Sequence, residues 1–162
     1  MIILGIDSST RSTGWAVINT DYEGSLRLLS YGTIAPKSSK MDAIDRIINI
    51  VKELISIIES YNPEFVVIEE MNVSRNMNTV RVLAGLLTAI EMLLRRRELL
   101  YIKMTPSAWR KRVGINPSAK REVLKEQSRF FVERNYNESV LEDEADAICI
   151  AEAGSTMEVE YE

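Results

Sequence analysis

Two short apolar runs, each closed by an acid, constrain this chain more than any other feature. Ile2-Ile3-Leu4-Gly5-Ile6 ends in Asp7, and Phe65-Val66-Val67-Ile68 ends in Glu69-Glu70. Runs of this length, rich in β-branched residues and bounded by polar ones, read as buried strands. The acids at their ends are then held near the core by rigid elements. Residues 14–19 and 26–34 read as two further strands joined by a turn at Gly24, so the first three strands form an antiparallel meander. Residues 41–61 carry Ile44, Ile47, Ile48, Val51, Leu54, Ile55 and Ile58 at helical spacing, and Pro63 stops that helix. A second helix spans 79–97, a fifth strand 99–104, and a third helix 117–135. Ser139-Val140-Leu141-Glu142 fits a capping box for the last helix, along which Ala145, Ile148, Cys149 and Ala151 can pack. The order predicts an α/β fold, a mixed sheet of about five strands flanked by helices, in one domain over 1–154 with an acidic tail over 155–162.

Composition narrows the chemistry. The chain has 162 residues, 46% of them apolar, enough for one sizeable core. With 27% charged residues and no long apolar run, the sequence predicts no membrane span. It holds one cysteine, Cys149, and no histidine. That excludes a disulfide framework, a Cys/His zinc site and the usual neutral-pH general base. Catalysis is left to carboxylates, hydroxyls, amines or a metal held by oxygen. The N-terminal residues lack a basic segment before their apolar stretch, so the expected setting is a reducing cytoplasm.

The formal charge of −4 hides a segregated distribution. Residues 1–74 carry 6 basic and 10 acidic groups, residues 75–137 carry 14 and 5, and residues 138–162 carry none and 9. A middle segment this basic is a candidate phosphate-binding surface. Asp7, Glu69 or Glu70, Asp143 and Asp146 sit where strands end or a helix begins, and the last two share a face at i, i+3. Acids converging from such positions repel one another unless a cation neutralises them. Mg²⁺ is the natural candidate, because it takes oxygen ligands and keeps waters. Two such ions about 4 Å apart suit phosphodiester cleavage.

Three segments carry a family resemblance. Ile3-Leu4-Gly5-Ile6-Asp7-Ser8-Ser9-Thr10-Arg11-Ser12-Thr13-Gly14-Trp15, Val67-Ile68-Glu69-Glu70 and Asp143-Glu144-Ala145-Asp146-Ala147-Ile148-Cys149 together resemble the RuvC family of Holliday junction resolvases. The resemblance implies an RNase H-like fold and a homodimer, formed through the helix near 79–97, that binds four-way DNA junctions. It implies paired symmetric nicks, with Asp7, Glu69, Asp143 and Asp146 holding two Mg²⁺ ions for which Mn²⁺ can substitute. Asp7 would bridge the ions, Glu69 rather than Glu70 would be the ligand, and Lys120 would lie near the scissile phosphate. It implies a prokaryotic cell, or a phage within one, as the source. The family's aromatic residue after the second-motif Glu is missing, since Met71-Asn72-Val73 stands there. Pro106 to Gly114 resembles divergent, phage-borne members. In that segment Trp109 is a candidate to stack on a base while Arg110, Lys111 and Arg112 meet phosphate. Arg75, Arg81 and Arg121 complete the candidate DNA contacts. Competing readings are a nuclease for forks or flaps, an RNase H-like hybrid nuclease, and a fragment of an actin-like ATPase. The last shares Gly5-Ile6-Asp7, but the chain is short for two lobes and has no later Gly-rich adenosine motif.

Overall fold

A computed structural model describes residues 1–21, 23–71 and 76–157. Its ten elements are β1 (Ile2–Asp7), β2 (Thr13–Thr20), β3 (Leu26–Ile34), α1 (Ala43–Tyr61), β4 (Phe65–Glu69), α2 (Met77–Arg96), β5 (Leu100–Met104), α3 (Pro106–Arg112), α4 (Arg121–Tyr136) and α5 (Glu142–Ser155). The strands form one sheet in the order β3-β2-β1-β4-β5. The β1–β2 and β2–β3 pairs are antiparallel, as the meander predicts, and β1–β4 and β4–β5 are parallel.

Alternation along the strands sorts the core into two layers. Ile3, Ala16, Ile18, Phe65 and Val67 face one side, where α5 lies with α3 and α4 behind it. Leu4, Ile6, Val17, Val66 and Ile68 face the other, beneath α1 and α2. The period of two then fixes the acids. Asp7 follows Gly5, and Glu69 follows Val67, onto the α5 side. Glu70 falls on the opposite side, beside Lys103 at 3.9 Å.

Helix α5 approaches the sheet closely because both surfaces are small. Its buried residues include Ala145, Ala147, Ala151, Ala153 and Gly154. A Cβ on Gly5 would collide with the Ala147 carbonyl, and one on Gly14 with the Asp143 carbonyl. Gly14 pairs with Asp7 across β1 and β2, so this approach sets Asp143 next to Asp7.

The starts of α4 and α5 differ from the sequence expectation, and one helix is added to it. Residues 106–112 form a helix, capped by the Thr105 side chain with Pro106 at its start. Helix α4 begins at Arg121 rather than near 117, because Asn116 turns the chain by accepting from the Ser118 amide. The start of α5 is closed by Glu144, whose carboxylate accepts from the Leu141 amide, and not by Ser139 with Glu142. Finally, α2 is long and apolar enough to cross a membrane by length and composition, with a mean hydropathy of 1.4 over its most apolar window. Its inward stripe of Leu86, Leu87, Ile90 and Leu94 packs on the sheet. Met77 and Met92 on its outer side are 75% and 60% exposed.

Candidate active site

The C-terminal ends of β1 and β4 and the first turns of α5 enclose a pocket of about 440 Å³. Asp7, Glu69, Asp143 and Asp146 line it together with Ser9, Arg110, Lys125 and Glu142. The sequence expectation of converging acids is met in space, and each acid arrives for a local reason. Asp7 and Glu69 are the last residues of neighbouring parallel strands. Asp143 and Asp146 share one face of α5.

Burial, with like charge crowded around it, raises the affinity of Asp7, Glu69 and Asp146 for protons. Burial pushes Asp7 well above the usual carboxylate range, and the charges of Glu69, Asp146 and Asp143 add to it, with Arg110 opposing. Burial also lifts Glu69 to about 7; the Trp109 hydrogen bond and Arg110 restrain the rise, while Asp146 adds to it. Asp146 is raised by burial too, against Ser128 and Arg110. Its Oδ1 is buried without a hydrogen-bond partner.

A buried anionic cluster with an unpartnered oxygen fits a divalent cation. The donor set is all oxygen, which suits Mg²⁺ or Mn²⁺ and not a soft metal. Among the described residues no three carboxylates converge tightly enough to form a ready-made cage. This is an open arrangement, of the kind that leaves coordination positions to water and substrate. In it, Arg110 supplies positive charge, its Nη2 lying 3.6 Å from Asp146 Oδ2.

Trp109 takes a place the sequence did not indicate. It is completely buried, and its indole N–H donates to Glu69 Oε2 at 2.7 Å. The Arg110 guanidinium lies 4.3 Å from the Trp109 ring centre. Burial corrects the expectation that Trp109 stacks on a base. Arg110 is also mostly buried, turned into the acidic pocket and not outward. Lys111 and Arg112 are exposed, and Arg112 donates to Thr156 Oγ1.

Lys120 stands exposed at the N-cap of α4 and does not line the pocket, whereas Lys125 does and pairs with Glu142 at 2.7 Å. No spacing in the sequence distinguished Lys125, because its placement depends on how α4 packs against α5. Arg81 is exposed on α2. Arg75 lies outside the described residues, as do Asn72, Val73 and the tail over 158–162. The side chain of Arg121 is likewise not described.

Comparison with known proteins bears on this geometry. The family model described as crossover junction endodeoxyribonuclease RuvC matches residues 3–153. The protein of that name from Treponema pallidum (strain Nichols) is 30% identical over 123 residues, 75% of this chain and 62% of that protein. The one from Synechocystis sp. is 26% identical over 152 residues, 93% of this chain and 89% of that protein. The chain thus spans less than two thirds of the Treponema relative's length. Among solved structures, RuvC from T. thermophilus in complex with Holliday junction substrate superposes with a TM-score of 0.79 at 19% identity, covering 94% of this chain and 92% of that one. That likeness establishes the fold as RuvC-like.

Proposed function

This chain belongs to the RuvC family of crossover junction endodeoxyribonucleases, and from that membership and its acidic pocket we propose that it is a Holliday junction resolvase. The observation that carries the proposal is the meeting of Asp7, Glu69, Asp143 and Asp146 in one pocket. In this reading the substrate is a four-way DNA junction, and the protein makes paired symmetric nicks in it within the cytoplasm of a prokaryotic cell.

The carboxylates of Asp7, Glu69, Asp143 and Asp146 would hold two Mg²⁺ ions, for which Mn²⁺ can substitute. Bound there, the ions supply activation of water and stabilisation of the leaving oxygen in phosphodiester hydrolysis. The chain's own residues prepare that chemistry. β1 and β4 fix Asp7 and Glu69 on neighbouring strand ends, and Trp109 keeps Glu69 oriented and favours its ionised form. Arg110 offsets the repulsion an acidic pocket exerts on a DNA phosphate. Lys120, Lys111, Arg112, Arg81, Arg75 and Arg121 belong to the basic middle segment, which supplies salt-sensitive affinity for the backbone.

A C₂ homodimer matches the approximate two-fold symmetry of the junction and offers the same site twice. The outer face of α2, with Met77 and Met92 exposed, supports its role as the dimer surface.

The test is incubation with Mg²⁺ and end-labelled four-way junction, fork, linear duplex and RNA–DNA hybrid, beside an Asp146→Asn control. Paired nicks in the junction, absent in the control, are expected. Cutting of the hybrid alone would overturn the assignment.

A further inference from the structure

On the far side of Ser9 from the acids lies a second pocket, of about 320 Å³, lined by Ser8, Ser9, Thr10, Arg11, Arg46, Asn78, Thr79, Val82 and Leu83. Its chemistry is the reverse of the first. Two arginines, four hydroxyls and the Asn78 amide line it beside Val82 and Leu83, with no carboxylate among them. Three separate elements build it: the β1–β2 connection, α1 and the first two turns of α2.

Two polar groups at this pocket are buried and unsatisfied. The Arg46 Nε and the Ser8 hydroxyl have no hydrogen-bond partner. No carboxylate of the described residues pairs with Arg46 or Arg11. A guanidinium drawn partly out of water without a counter-charge is costly, and an anion removes that cost. The connection is organised to present donors. Ser9 Oγ accepts from the Arg11 and Ser12 amides, at 3.2 and 3.4 Å, which leaves its own proton free to donate. The start of α2 is not the attraction, since Asn76 already takes the Asn78 and Thr79 amides.

Ser9 lines both pockets. We propose that the pocket of Arg11, Arg46, Ser8 and Thr10 binds a backbone phosphate of the DNA strand that enters the acidic pocket. This rests on the reading of the chain as a DNA nuclease. It anchors that strand by cations on one side of Ser9 while the carboxylates act on the other. Arginine suits this role, because its fork can take two phosphate oxygens at once.

The experiment measures binding of a fluorescent four-way junction, without divalent ion, at several salt concentrations, for wild type, Arg11→Gln, Arg46→Gln and Arg27→Gln. Arg27 is a control cation outside the basic middle segment, exposed near the start of β3, at the end of the sheet away from Asp7. Arg11→Gln and Arg46→Gln should each weaken binding roughly tenfold and lower the salt slope by about one, while Arg27→Gln leaves the slope unchanged. Slopes for Arg11→Gln and Arg46→Gln equal to that of Arg27→Gln would overturn the proposal. Should Arg46→Gln fail to fold, Arg11, exposed on its loop, decides the question alone. Inorganic phosphate is run as a second probe. Stabilisation of the wild type by phosphate alone, with DNA slopes unmoved, would make this a free-anion site and reject the DNA role. Cleavage assays on the same proteins separate the two readings. A wild type that cuts no junction removes the resolvase assignment, and the salt slopes still decide the phosphate site.

Discussion

Trp109→Phe keeps an aromatic ring in the core and removes the one N–H that reaches Glu69 at 2.7 Å. A hydrogen bond to a carboxylate contributes about 1.5–3 kcal/mol, which corresponds to roughly 10–100-fold in an equilibrium constant. Partners that orient a metal-binding carboxylate span about the same range. The direction follows from the charge balance on Glu69. Burial already lifts its pKa to about 7, and the indole N–H is among the groups restraining that rise. Without it the carboxyl holds its proton more tightly at neutral pH, and a cation must displace that proton in order to bind. Mn²⁺ affinity, read from the free-ion signal in electron paramagnetic resonance, should fall about 10–100-fold at pH 7 and recover in part at higher pH. The acid limb of the cleavage rate against pH should move to higher pH. Junction binding without divalent ion should stay as in wild type, because Trp109 is fully buried and offers no surface to DNA. Circular dichroism checks folding, since the smaller ring leaves some unfilled volume. A folded Trp109→Phe protein with wild-type Mn²⁺ affinity and an unmoved acid limb would refute the reasoning.

Other consequences follow from the same geometry. Glu69 has a folded pKa of about 7 against an ordinary 4.5, so the folded state holds the proton more tightly. Stability from this group is fully present below pH 4.5, declines as pH rises through 7 by about 3 kcal/mol, and is flat beyond. Asp7 and Asp146 shift in the same direction. Urea unfolding in chelator should therefore show falling stability over this window, with Mg²⁺ restoring part of it at pH 8; a rise across the window in chelator would count against the crowded-acid picture. Gly14→Ala sets a Cβ against the Asp143 backbone and should lower unfolding free energy by about 1–3 kcal/mol. It should also reduce cleavage more than junction binding; an unchanged melt would show that α5 can yield. Asp7→Asn relieves repulsion without touching the basic surface, so junction binding should persist or strengthen while cutting falls at least about 100-fold. Equal losses of both in a folded protein would contradict the division between acidic pocket and basic surface.

Legibility in the sequence tracked how local the causes are. Period-two alternation and the apolar runs carried the strands, and helical spacing carried α1 and α2, because burial on one face is written directly in residue order. The acids were legible for the same reason: each ends an element whose direction is fixed by its apolar residues. Choosing Glu69 over Glu70 took the resemblance, although side-chain parity from Val67 provides a physical route to the same choice. Helix α3 was missed because seven residues offer too few turns for a period, even though Thr105 and Pro106 form a recognisable start. The role of Trp109 was hidden because its partner lies 40 residues away. A tryptophan beside three cations looks like a DNA contact until tertiary packing turns the indole inward. Lys125 and Arg46 were overlooked likewise, since each acquires its place only when helices dock on the sheet.

The most direct test is anomalous diffraction from crystals soaked in Mn²⁺ near pH 8, where Glu69 is ionised. Two peaks among Asp7, Glu69, Asp143 and Asp146, with Arg110 moved away from Asp146, are the expected result. A fully soaked crystal with no peak in that pocket, from protein that still cuts junctions, would contradict the assignment of these four carboxylates as the metal-binding centre.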